Sequence, residues 1–89
     1  MINLKRIGDI EKTLASLPEA VAFVQRMEEG EARRAEAARV CGELDAYIRE
    51  LDEIAATLEK TVPGLTIRVR ILRARAVEAR EEIDVLLTL

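Results

Sequence analysis

The strongest constraint in this chain is the tetrapeptide Val62-Pro63-Gly64-Leu65, because the apolar residues on its two sides mirror each other. Proline followed by glycine stops a helix and reverses the chain. Before the stop, Ala37, Cys41, Leu44, Ile48, Leu51, Ala55, Leu58 and Val62 recur in alternating steps of four and three. After it, Leu65, Val69, Leu72, Ala76, Ala79, Ile83 and Leu86 do the same. That spacing lines one face of an α-helix and makes the seam of a coiled-coil-like pair. The expected fold is therefore all-α: an antiparallel helical hairpin of residues 18–60 against 65–87, with a turn at 61–64.

The turn alone sets a register. Placing Val62 beside Leu65 stacks Leu58 on Val69, Ala55 on Leu72, Leu51 on Ala76, Ile48 on Ala79, Leu44 on Ile83 and Cys41 on Leu86. Three consecutive layers then oppose a large side chain to an alanine, which fills a narrow seam without clash or void. The flanking charges agree. Asp52 faces Arg73 and Asp45 faces Arg80, whereas a parallel or slipped pairing loses that match. Surface pairs of this kind are worth only ~0.2–1 kcal/mol each, so they select register more than they stabilise.

Residues 3–15 read as a short amphipathic helix capped by Asn3, with Ile7, Ile10 and Leu14 on one face. Ser16-Leu17-Pro18-Glu19 reads as a new helix start, with Ser16 and Glu19 at capping-box spacing and proline in the first turn. The joint is short, so the first helix is expected to fold back on the second and bring Ile10 near Phe23 and Ile7 near Met27. From Pro18 to Lys60 the seam runs on through Ala20, Phe23, Met27, Gly30 and Arg34. An unbroken helix of that span is roughly 65 Å long. The favoured reading is one continuous or gently bent helix. A break near Gly30, letting the N-terminal third swing onto the hairpin, is the alternative. A second alternative is that residues 66–71, which alternate polar and apolar, are extended. They have no clear strand partner in the chain.

Length and composition restrict function. Eighty-nine residues make one small helical domain at most. Aromatics are limited to Phe23 and Tyr47, so the core is poor in area, and small domains of this kind gain stability by oligomerising. A net charge of −3 argues against a general nucleic-acid or acidic-membrane binder. A lone cysteine gives no disulfide, and no apolar run is long enough to span a bilayer. The expected compartment is the cytoplasm, or the interior of a phage particle or host cell.

Nothing in the sequence names a reaction, and no catalytic, cofactor-binding or metal-binding residue is assigned. There is no histidine, which removes the commonest general base and metal ligand. Cys41 lies in the seam, where a small core residue is the expected role. Glu28-Glu29, Asp52-Glu53 and Glu81-Glu82 are adjacent pairs, which diverge on a helix and read as solvated faces. Arg68, Arg70, Arg73, Arg75 and Arg80 are the one candidate phosphate-binding strip. They split between the two edges of the seam, with Arg70 directed away, and that suits pairing with the acidic arm better than one basic face.

Two apolar surfaces are left over. Val40, Tyr47 and Ile54 flank the first arm opposite Arg68, Arg75 and Glu82, and Ile67, Ile71, Ala74 and Val85 stripe the back of the second. Apolar groups on both flanks of a hairpin need something to pack on. The expected function is therefore a non-enzymatic protein–protein interaction or oligomerisation module of the adaptor, chaperone or inhibitor type. Its candidate partner-binding residues are Val40, Tyr47, Ile54, Ile67, Ile71 and Val85. Its partner is a second copy, giving a dimeric helical bundle, or a larger protein. The alternative function is nucleic-acid binding through the Arg68–Arg80 segment.

Overall fold

The computed structural model describes residues 4–88, so Asn3, the expected first cap, lies outside the described residues. The order is α1 (Leu4–Ala15), α2 (Leu17–Arg26), α3 (Glu31–Thr61), a 3₁₀ turn at Pro63–Leu65 and α4 (Thr66–Thr88). No strand occurs among the described residues. The molecule measures 47 × 20 × 17 Å along its principal axes. The long dimension is that of α3, whose 31 residues span about 46 Å at 1.5 Å each. A pair of helices 8–10 Å apart forms one flat layer, so the roughly equal short dimensions require a third helical column. α1 and α2 supply it.

α3 and α4 form the antiparallel hairpin. Val62 precedes a proline, which disfavours helical geometry, and it sits at φ −136°, ψ 77°. Its N–H still closes on the Leu58 carbonyl at 2.8 Å, and the Leu65 N–H then donates to the Val62 carbonyl at 3.0 Å. The Thr66 hydroxyl donates to the Pro63 carbonyl at 2.6 Å, so the residue that would open an extended segment instead fastens the first turn of α4. Val69, Leu72, Ala76, Ala79, Ile83 and Leu86 are all buried, facing buried Leu58, Leu51, Leu44 and Cys41. Ile48 and Ala55 are half-buried against the same core. Arg73 bonds Asp52 at 2.6 Å and Arg80 bonds Asp45, as the register requires. The outermost layer opens: Val62 has left the helix and is exposed.

The N-terminal third differs from the favoured expectation. Residues 18–60 are not one helix. α2 ends at Arg26 and α3 begins at Glu31, with Met27 extended (φ −68°, ψ 146°) and Gly30 at φ 151°. That φ lies where side chains with a Cβ are strained, so glycine is what permits the chain to change direction here. Within α3 itself the position buried before Ala37 also differs from the expected one. Arg33, not Arg34, takes the buried place one turn before Ala37. In exchange for the interrupted helix, α2 buries Val21 and Val24, chiefly on α4.

The start of α2 also departs from its expected chemistry. Ser16 makes no side-chain cap bond; its hydroxyl donates backward to the Thr13 carbonyl at 2.8 Å. Ser16 is itself in helical geometry and is the single residue between α1 and α2. Pro18 cannot donate to a preceding carbonyl, which interrupts the helix at this point. Phe23 is 57% exposed, so it does not close over Ile10. The buried set is Ile7, Ile10, Leu14, Val21 and Val24, with Leu17 packed against it. Those positions recur in steps of three and four through Ser16, one stripe shared by both helices.

Candidate interaction surface

The six apolar candidates separate into two groups. Val40 is buried, and Tyr47 and Ile54 are half-buried against the core. The flank that the second arm leaves open is filled from within the chain, by the stripe on α1 and α2. This strap is tied at two places. Arg6 on α1 donates two hydrogen bonds to Glu50 on α3, one of 2.8 Å. Arg68 on α4 donates two to Glu11 on α1, at 3.0 and 3.2 Å. These bonds hold the Glu11 and Glu50 carboxyls below the usual carboxylate range, with the arginine hydrogen bond the main cause in each.

The other three candidates remain outside. Ile67, Ile71 and Val85 are 64, 51 and 55% exposed, and Ala74 is exposed between them. They share the outer face of α4, turned away from α3. A shallow groove of about 440 Å³ runs beside Ile67 and Ile71, bounded by Glu11, Gly64, Arg68, Leu72 and Arg75. Phe23, Leu4 and Val62 are further exposed apolar residues. Sequence reasoning placed Phe23 in the seam. The signal that would have moved it out is the unbroken spacing of Ile7, Ile10, Leu14, Leu17, Val21 and Val24, which leaves Phe23 on the opposite face.

Four of the five candidate phosphate-binding arginines are engaged by carboxylates. Arg68 holds Glu11, Arg73 holds Asp52 and Arg80 holds Asp45. Arg70, expected to point away from the hairpin, reaches Glu59 on α3 at 2.6 Å. Glu59 has no basic residue level with it, since Thr66 stands there, and the next turn of α4 supplies one. Arg75 makes no hydrogen bond or ion pair among the described residues, although its charge is felt by Glu11. The arginines thus act mainly across helix interfaces, not as one free basic strip.

Cys41 is buried and its thiol is pushed up by that burial, which keeps it protonated and a poor nucleophile. Among the described residues no three metal-ligating side chains converge, and no helix is long and apolar enough to cross a membrane. No known family model matches the chain, and neither a curated protein nor a solved structure shows a significant likeness to it.

Proposed function

We propose that this chain is a non-enzymatic helical interaction module that docks on protein through the outer face of α4. One observation carries the reading: Ile67, Ile71 and Val85 stay exposed on one face after the chain's own strap has covered Val40, Tyr47 and Ile54. A chain able to cover one apolar flank leaves the other open where the opening has a use. The engagement of Arg68, Arg70, Arg73 and Arg80 by carboxylates favours this reading over a nucleic-acid surface. The absence of histidine from the sequence favours binding over catalysis.

Binding of a dye that fluoresces on apolar surfaces tests the proposal. The folded wild-type chain should bind it, and Ile67→Asp with Ile71→Asp should remove most of the signal while circular dichroism stays unchanged. Equal dye binding by the wild type and the double variant would remove α4 as the docking face.

A further inference from the structure

The strap owes its seat on its own hairpin to one bend. Residues 27–30 join α2 to α3, yet α2 packs chiefly on α4. The register sets Cys41 level with Leu86, so α3 runs on past the end of α4 toward its own start at Glu31. Were α2 to continue α3 in a straight line, it would lie beyond α4 and could not touch it. Gly30 makes the bend through a φ of 151°, which other residues resist, and open space surrounds it. The link is also close to helical in sequence. Carried straight, the last carbonyls of α2 and the first N–H groups of α3 would satisfy each other, as they do inside any helix. Glu29 and Arg33, 3.8 Å apart across the junction, already stand at the one-turn spacing that supports a helix.

We propose that two copies of this chain exchange their straps. Residues 17–61 of each become one straight helix, and α1 and α2 of each dock on the α3–α4 hairpin of the other, about a two-fold axis at the links. The closed structure itself names this occupant. Ile7, Ile10, Leu14, Val21 and Val24 fill the flank of Val40, Tyr47 and Ile54, and the Arg6–Glu50 and Arg68–Glu11 bonds tie it. A hairpin accepts that stripe equally well from its own chain or from a second one, so no new complementarity is required. A single opened chain bares both the stripe and the flank to water, so opening is completed by a second copy.

The link sets the balance between the two forms. Association costs the exchanged pair freedom that the single chain keeps. Straightening offsets that cost with helical bonds gained at both links. Glycine at position 30 favours the single chain, because it bends without strain and weakens the straight helix. Ile67, Ile71 and Val85 stay exposed in either form, so the inference is independent of the reading of α4 as a docking face.

Gly30→Ala tests the exchange, since it opposes the bend and favours the straight helix at once. With two links per dimer it should raise the dimerisation constant about tenfold or more over the wild type, read by light scattering across a concentration series. Inserting a flexible Gly-Ser-Gly-Ser segment after position 30 of that variant should return it to monomer, because a slack link lets the strap reach its own hairpin. Mixing separates exchange from side-by-side pairing. In the Gly30→Ala background, Glu11→Arg in one chain and Arg68→Glu in another each oppose like charges at this tie within their own chain. Exchange between the two chains restores opposite charges at both ties. After joint unfolding and refolding, the ratio of mixed to matched dimers should rise about fivefold above the random value. A folded Gly30→Ala chain that stays monomeric up to millimolar concentration would overturn the proposal, and so would dimers that mix at random or survive the insertion. Should Gly30→Ala lose its helical circular-dichroism signal, the same two charge variants with Gly30 retained, refolded together from urea at high concentration, decide it. There, random mixing or absence of dimer would overturn the exchange.

Discussion

The hairpin α3–α4 and the strap α1–α2 bury stripes of the same spacing, yet they are held by different means. In the hairpin the ion pairs join residues 11, 21 and 35 apart in sequence, across a seam whose register a four-residue turn imposes. The strap is joined to α3 by a link of similar length, residues 27–30, and is tied by arginine–glutamate bonds between residues 44 and 57 apart. A long closure adds little entropy beyond a short one, so distance does not weaken the strap much. Its link runs to α3 whereas α2 packs chiefly on α4, so the link does not set its register. Its placement is decided by which groove of the finished hairpin accepts Ile7, Ile10, Leu14, Val21 and Val24. The hairpin is specified locally, and the strap is specified by the hairpin.

The sharpest way to break this comparison is to disable the hairpin. Leu51 is fully buried in the layer opposite Ala76. Leu51→Asp places a carboxylate there without a partner and should cost more than ~4 kcal/mol. For a domain this small, that should abolish most of the helical circular-dichroism signal. Retention of the signal would mean that the strap, not the seam, holds the fold.

Two glycines sharpen it further, with opposite signs. Gly30 sits at φ 151° with open space around it, so Gly30→Ala meets no clash and is opposed by backbone strain alone. It should destabilise by ~1–3 kcal/mol in urea unfolding. Were residues 18–60 one straight helix, the same change would stabilise by about 1 kcal/mol. Gly42 is that control. It lies inside α3, exposed, with nothing within 4 Å of an added Cβ. Gly42→Ala should raise stability by about 1 kcal/mol, and the unfolding midpoint should move up accordingly. Equal signs at the two sites would contradict the break at Gly30.

These residues also explain what could be read before the structure. Pro63-Gly64 marks a turn whatever the surroundings, and each layer counted outward from it follows by arithmetic; hence Asp52–Arg73 and Asp45–Arg80 were legible. Gly30 is ambiguous, because a glycine in a helical pattern is tolerated at a modest cost, and only the gain from docking α2 decides for the break. Phe23 misled for a related reason. It was placed by carrying the spacing of α3 back through Gly30, but α2 follows the stripe of α1 and buries Val21 and Val24 instead. Of the candidate surface, Ile67, Ile71 and Val85 were legible because their exposure depends on the hairpin alone. The fate of Val40, Tyr47 and Ile54 depended on the strap, which local spacing does not position.

The smallest expected effect bears on the strap's two ties. Arg68 and Arg6 hold the Glu11 and Glu50 carboxyls below their ordinary values, so the folded chain binds fewer protons than the unfolded chain as these groups titrate. Stability from the ties is then fully present above the unfolded glutamate pKa, about 4.3, and is lost as pH falls through the lower folded values. The chain has no histidine, and burial moves the Cys41 thiol upward, away from neutrality. Urea midpoints should accordingly be flat between about pH 6 and 8 and should decline below about pH 4.3. Glu11→Gln separates the strap's share of that decline. It removes the charge of the Arg68 tie at neutral pH and leaves the seam pairs in place, so the variant should be slightly less stable than the wild type at pH 7. The two should converge in acid, where the wild-type carboxyl is protonated as well. A gap that persists in acid would mean that Glu11 acts through packing, and the strap would then be held by its apolar stripe alone.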